Sequence, residues 1–302
     1  MGQLHMGNQN AINDQVTSGS YIIIPERDYE QIPNKPTPIQ YKKCFVAFLD
    51  ILGFKELVNL CKKEKIDEYF SLIQQTLDEL KKRKSKKNIQ SIIISDTVLL
   101  SIEFGSDNYE NLFNFRQLCI AVRDIQLNLA THNLWLRGAI SHGDAYFSPA
   151  KHNVVGKAYQ KAYELGESQA IYPRVIIDPT IIDEFQDLQT AQDLIEAINN
   201  LQVDTQVRSS EIFFNWKKYK RYLNNFPQDV ALFINYLFPG IKNSSSFNLL
   251  CSAIQENIYS DQKIYGKYRW VVNYLKVCCA YYKGTGSGDP DLHISFRKLD
   301  RI

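Results

Sequence analysis

Residues 44–54, Cys-Phe-Val-Ala-Phe-Leu-Asp-Ile-Leu-Gly-Phe, constrain this chain more than any other stretch. Six apolar residues in a row read as a buried β-strand, and Asp50 stands where that run gives way to a turn containing Gly53. An ionised carboxylate buried without a partner is so costly that it would sooner take up a proton. Something must therefore complete the shell of Asp50, and the rest of the sequence narrows what that is.

The segments that follow alternate in period. Residues 54–84 carry apolar positions at helical spacing with charges between them, which predicts one or two amphipathic helices. Two β-rich runs, 88–95 and 97–104, flank Asp96 and leave only Ser95, Asp96 and Thr97 for a tight turn, so a hairpin carries a second carboxylate at its tip. Helix is expected over 108–133, a long strand over 134–147, helix over 156–171 and strand over 174–178. Strand, helix, strand, strand, helix, strand is the split βαβ order, an α+β, ferredoxin-like antiparallel sheet with helices on one face. The expected domains are a flexible N-terminal arm at 1–40, a catalytic domain at 41–180 and a mostly helical C-terminal extension at 181–302. Within the extension, 193–201, 229–238 and 270–282 read as helices, 209–216 as a short strand, and 240–248 and 283–291 as loops by glycine, serine and proline content.

Charge and composition exclude several classes. With 35 basic and 33 acidic residues among 302, the net charge of +2 lacks the footprint of a protein that binds long nucleic acids. No run approaches the roughly twenty apolar residues of a membrane span, and the polar start has no signal-peptide core, so no membrane partner and a cytoplasmic location are expected. The six cysteines have no metal-type spacing and read as reduced packing thiols, and the five scattered histidines argue against a zinc site.

Two carboxylates at neighbouring strand ends have three readings. They share a proton as an acid dyad, they are unrelated exposed caps, or they bind divalent cations, since hard Mg²⁺ or Mn²⁺ takes one or two carboxylates plus substrate phosphates. The turn after Asp50 favours the third, because Gly53 lets backbone approach a ligand closely and present N–H groups to phosphate oxygens.

At these residues the chain resembles the class III nucleotidyl cyclases. Phe48-Leu49-Asp50-Ile51-Leu52-Gly53-Phe54 is similar to their first metal-binding motif, Asp96 to their second metal aspartate at a hairpin tip, and Arg137, Gly138 and Gly143 to a later strand motif. The whole string, through Tyr172-Pro173-Arg174, is most similar to the pyrimidine (uridylate/cytidylate) cyclases of Pycsar antiphage defence. The resemblance covers about residues 43–178. It implies two divalent cations, Mn²⁺ or Mg²⁺, held at Asp50, Ile51 and Asp96, with Asp50, Asp96 and Gln160 catalytic and Phe48, Gly53, Phe54 and Asn153 contacting substrate. It also implies a homodimer with sites at the subunit interface. The reaction is cyclisation of UTP, ahead of CTP, to a 3′,5′-cyclic messenger that reaches a separate effector.

Departures from the family pattern sharpen this reading. Ile92 stands where purine cyclases have a base-contacting lysine, Asn153 where they have an aspartate, and Gln160 replaces the transition-state asparagine. Glu164 replaces the transition-state arginine, with Lys157, Lys161 and Arg137 as neighbouring positive charges. That reversal keeps open a catalytically silent nucleotide-binding or scaffolding module, and a purine (adenylate/guanylate) cyclase is the further alternative. Core packing is the competing role for Phe48, and Arg174 reads as a solvent-facing strand start.

Overall fold

The computed structural model describes residues 38–82, 88–201, 212–214, 232–260, 262–284, 296 and 299. The N-terminal arm expected over 1–40 lies outside these residues as far as 37.

The described elements are β1 (Lys42–Ile51), α1 (Phe54–Asn59), α2 (Lys63–Lys82), β2 (Gln90–Ile94), β3 (Thr97–Glu103), α3 (Asn108–Thr131), β4 (Leu136–Ser148), β5 (Asn153–Gly156), α4 (Lys157–Ser168), β6 (Val175–Ile177), α5 (Ala191–Asn200), α6 (Ser244–Asn257) and α7 (Gln262–Gly284). The sheet order is β2-β3-β1-β4-β5, antiparallel throughout, with β6 added parallel to β4. The first four strands thus lie in the ferredoxin-like order, and the fold is α+β, as the segment order predicts. The short strand β5 was not anticipated.

The alternation along β1 decides where the helices go. Phe45, Ala47 and Leu49 point to one face, where they join a core with Ile73 and Leu77 of α2 and Leu118 and Val122 of α3. Cys44, Val46 and Phe48 point to the other, against Ala158 and Ala162 of α4. Helices therefore cover both faces of β1, which corrects the expectation of one face. A strand with no polar position between Cys44 and Leu49 cannot leave either side to water, and each fully buried side chain of this size contributes about 1.5–3 kcal/mol.

The same core continues into the C-terminal helices, through Ile198 of α5, Leu250 of α6 and Leu275 of α7. Three expectations there are corrected. Of the helix expected over 229–238, residues 229–231 lie outside the described set, Leu232–Ile234 pairs along β6 instead, and only a helical turn at Leu237–Gly240 forms: Ile177 N–H donates to the Leu232 carbonyl at 2.8 Å and Ile234 N–H to that of Val175 at 2.9 Å. These bonds satisfy the open edge of β6, a stronger demand than local helical periodicity. The serine-rich 240–248 is not a loop throughout, because Asn243 accepts from Ser246 N–H at 2.9 Å and so caps α6. Arg174, read as solvent-facing, is 1% exposed, with its guanidinium 5.6 Å from the ring centres of Tyr172, Phe233 and Trp270. Of the strand expected over 209–216, only 212–214 are described, with Phe213 bridging Ile234; of the 283–291 loop, residues beyond 284 lie outside the described set. No helix among the described residues is long and apolar enough to cross a membrane.

Candidate active site

Strand register brings the two carboxylates together. Asp50 lies opposite Thr97 on β3 and opposite Arg137 on β4, and Asp96 immediately precedes Thr97 in the two-residue Ser95–Asp96 turn of the β2–β3 hairpin. Ser95 adopts φ 55°, the left-handed conformation that tight hairpin turns require. Ile51 N–H donates to the Asp96 carbonyl at 3.3 Å, tying the hairpin tip to the end of β1.

Arg137 completes the shell of Asp50 in this state. Its Nε donates to Asp50 Oδ2 at 3.0 Å and its Nη2 to Glu167 Oε1 at 2.7 Å, so one guanidinium links β1 to α4. Burial is the largest influence on the Asp50 carboxyl and pushes it up. Arg137 opposes that by charge and hydrogen bond, repulsion from Asp96 and Glu167 adds to it, and the group settles at about 6. Tyr69 of α2 is fully buried with no hydrogen-bond partner for its hydroxyl, and burial first, then the charges of Asp96 and Asp50, push its phenol up. Nothing in local spacing marks Tyr69, or Glu167 as the second partner of Arg137, because both follow from tertiary contacts.

The donor set fits a hard cation. No cluster of three or more His, Cys, Asp or Glu side chains suited to a metal occurs among the described residues. A carboxylate raised first by burial and further by the charge of a neighbouring carboxylate is what Mg²⁺ or Mn²⁺ relieves, since these ions take one or two carboxylates and draw their other ligands from water and phosphate. The Ile51 side chain lies in the core, leaving only its main chain beside the pair.

Gly53 has φ 82°, and its carbonyl accepts from Glu56 and Leu57 N–H as α1 begins. A Cβ there would meet only Glu56 Oε2, at 3.8 Å, so the left-handed backbone and not crowding demands glycine. Phe54 and Phe48 are both buried: Phe54 is edge-on to Tyr69 at 5.8 Å, and Phe48 lies beneath α4, edge-on to Tyr163 at 5.3 Å. Ile92 is 2% exposed and packs with Phe48, Leu99 and Ala162, so it is core and presents no surface to a base.

The remaining site residues form a second group. Asn153 is exposed at the start of β5 opposite Ser148, at the other end of β4 from Arg137. Gln160 is exposed on α4, where its Nε2 donates to Glu164 Oε1 at 2.9 Å; with Lys157, Tyr159 and Tyr41 it borders an open cavity of about 660 Å³. It lies seven residues before Glu167, about 10 Å along the helix axis, so one chain does not bring it to Asp50. Lys161 is held by Asp178 Oδ2 at 2.9 Å and by Thr180, and Arg137 is held as above, which leaves Lys157 as the cation of the three that lines this cavity.

No protein-family model and no curated protein matches the chain. It is similar to several solved structures. The guanylyl cyclase Cya2 shares 12% identity over 66% of this chain and 93% of its own, at a TM-score of 0.37. The adenylyl cyclase CyaB from P. aeruginosa shares 15% over 66% and 95%, at 0.36. A bacterial light-regulated adenylyl cyclase shares 16% over 71% and 99%, at 0.37. Identities and scores this low leave function to be read from the residues themselves.

Proposed function

We propose that the protein is a nucleotide cyclase that converts a pyrimidine nucleoside triphosphate, UTP ahead of CTP, to its 3′,5′-cyclic nucleotide and pyrophosphate. The observation that carries this reading is the meeting of Asp50 and Asp96 at one end of the sheet, beside the left-handed turn at Gly53. Asp50, Asp96 and the Ile51 main chain would hold Mn²⁺ or Mg²⁺, which when bound would neutralise charge on the triphosphate and lower the pKa of the ribose 3′-hydroxyl.

The chain's own groups position and stabilise. Asp50 binds in its ionised form, which frees Arg137 Nε while Glu167 keeps the guanidinium in place. A fixed positive charge then stands beside the phosphates, where charge builds up as the 3′-oxygen bonds to the α-phosphorus and the bond to the β-phosphate oxygen breaks. The Gln160 and Asn153 carboxamides come from a second copy, because one chain keeps Gln160 about 10 Å along α4 from Glu167. Preference for a pyrimidine rests on Asn153, whose amide both donates and accepts, and on the absence of a lysine at position 92. The role in antiphage defence, through an effector that senses the cyclic product, and the catalytic span 41–180 rest on the sequence resemblance.

A second reading has its own observation: Glu164, where the family has an arginine, is occupied by Gln160, as in a silent nucleotide-binding module. Incubation of the protein with each of the four NTPs and Mn²⁺, with products resolved chromatographically, separates the readings. A cyclic pyrimidine nucleotide and pyrophosphate are expected, with Asp50→Ala and Asp96→Ala folded and inactive. A cyclic purine product would move the substrate assignment, and no turnover with any NTP would leave the silent module standing.

A further inference from the structure

Of the three tyrosines fully buried among the described residues, two have hydrogen-bond partners. Tyr236 donates its hydroxyl to the Pro173 carbonyl at 2.8 Å, and Tyr274 donates its own to Asn235 Oδ1 at 2.5 Å. Tyr69 of α2 is 0% exposed, and its hydroxyl has no partner. A phenol hidden from water without a hydrogen bond is destabilising, and such an orphan marks a partner that arrives or moves. Packing fixes where it lies: the ring is edge-on to Phe54, the first residue of α1, at 5.8 Å and tilted against Phe70 at 4.9 Å. Phe54 directly follows the Gly53 turn, so Tyr69 stands behind the end of β1 that carries Asp50. The charges that bear on its phenol are those of Asp96 first and Asp50 second. Asp50 already accepts from Arg137, whereas the half-buried Asp96 carboxylate at the hairpin tip has no hydrogen-bond or ion-pair partner among the described residues. An ionised carboxylate only accepts and a protonated phenol donates, so each supplies what the other lacks.

We infer that the Tyr69 hydroxyl donates to the Asp96 carboxylate when that carboxylate takes up a divalent cation, which makes Tyr69 a positioning residue of the candidate site. The inference rests on the reading of Asp50 and Asp96 as cation ligands. No hydrogen bond holds the Asp96 side chain in this state, so it can turn toward Tyr69 with one oxygen and keep the other for the cation. Carboxylates that ligate metals are held by such outer hydrogen bonds, and losing one weakens metal binding by about 10- to 100-fold. Each carboxylate then has its own support: Arg137 of β4 for Asp50, Tyr69 of α2 for Asp96. Until the cation arrives the phenol keeps an unmet donor, and loading relieves that cost.

Titration of the full chain with Mn²⁺ alone, followed by electron paramagnetic resonance, tests it alongside thermal melting in EDTA. The unmutated chain should bind Mn²⁺ saturably, Asp96→Ala should lose that binding, and Tyr69→Phe should weaken it by about tenfold or more. The metal-free melting temperature of Tyr69→Phe should not fall, because phenylalanine keeps the ring packing and removes an unmet donor. A merely structural tyrosine would leave the Mn²⁺ affinity where it was. Equal affinity in Tyr69→Phe and the unmutated chain, with Asp96→Ala defective, overturns the role of Tyr69 and leaves the cation reading standing. A lower metal-free melting temperature in Tyr69→Phe also overturns that role, since the hydroxyl would then be bonded before any cation arrives. No Mn²⁺ binding by the unmutated chain, or full binding by Asp96→Ala, overturns both.

Discussion

Asp50 is the residue on which the molecule's chemistry and its stability conflict. Its carboxyl sits at about 6 in the fold against an ordinary value of 3.8, so the folded chain holds the proton more tightly than the unfolded one. The stabilisation this gives is complete below the unfolded value and is lost as pH rises through about 6, so the ionised group costs about 3 kcal/mol above that. Asp50→Asn should therefore raise the melting temperature at pH 8 by several degrees and change it little at pH 4, as scanning calorimetry would read. An equal effect at both pH values would mean that the strain is not one of ionisation. Both aspartates were legible in the sequence, because an apolar run interrupted by one carboxylate and two β-rich runs separated by a tight turn are local patterns. Arg137 as the partner of Asp50 was not, since register alone sets the two opposite each other.

At the scale of elements, α4 is fastened to the sheet by polar bonds as well as by packing. Asp178, 1% exposed, accepts from Ser141 Oγ at 2.6 Å and from Thr180 N–H at 2.9 Å, and it pairs with Lys161 of α4 at 2.9 Å. Burial alone would raise its carboxyl, but these partners together hold it below the usual range. Its contribution is present at neutral pH and is lost as pH falls through that depressed value. Beside it, Glu184 pairs with His142 at 2.8 Å and with Lys43 at 2.5 Å. Asp178→Ala removes one partner from a buried cluster and should cost about 2–4 kcal/mol in urea unfolding with an unchanged slope. A loss below about 0.5 kcal/mol, the range of ordinary surface changes, would show that packing alone holds α4. The helix itself was readable from its spacing. Its face of the sheet was not, because an amphipathic pattern names the side that is buried and not what buries it.

For the whole molecule, the division of the candidate site into two groups is the feature with most consequence. Asp50 and Asp96 share one end of the sheet, whereas Gln160 is about two turns back along α4 and Asn153 lies at the distal end of β4. If two copies complete each site, Asp50→Ala and Gln160→Ala chains are each inactive alone. Mixed and re-equilibrated in equal amounts, they should regain about a quarter of the unmutated rate, since half the dimers then carry one intact site of two. Activity that stays absent on mixing, with heterodimers verified, would place the whole site within one chain.

By itself the sequence determined the order of the first four strands and of the helices between them, the two carboxylates and the glycine that turns the chain after Asp50. Those follow from periods of two and 3.6 residues and from turn chemistry, which act over a few neighbouring positions. Only the tertiary structure decided that α4 covers the second face of β1, that Leu232–Ile234 pairs along β6, that Arg174 is enclosed by three aromatic rings, and that Arg137 sits against Asp50. Each depends on which distant segment supplies the missing hydrogen bond, the apolar cover or the opposite charge, and no window along the chain contains both partners.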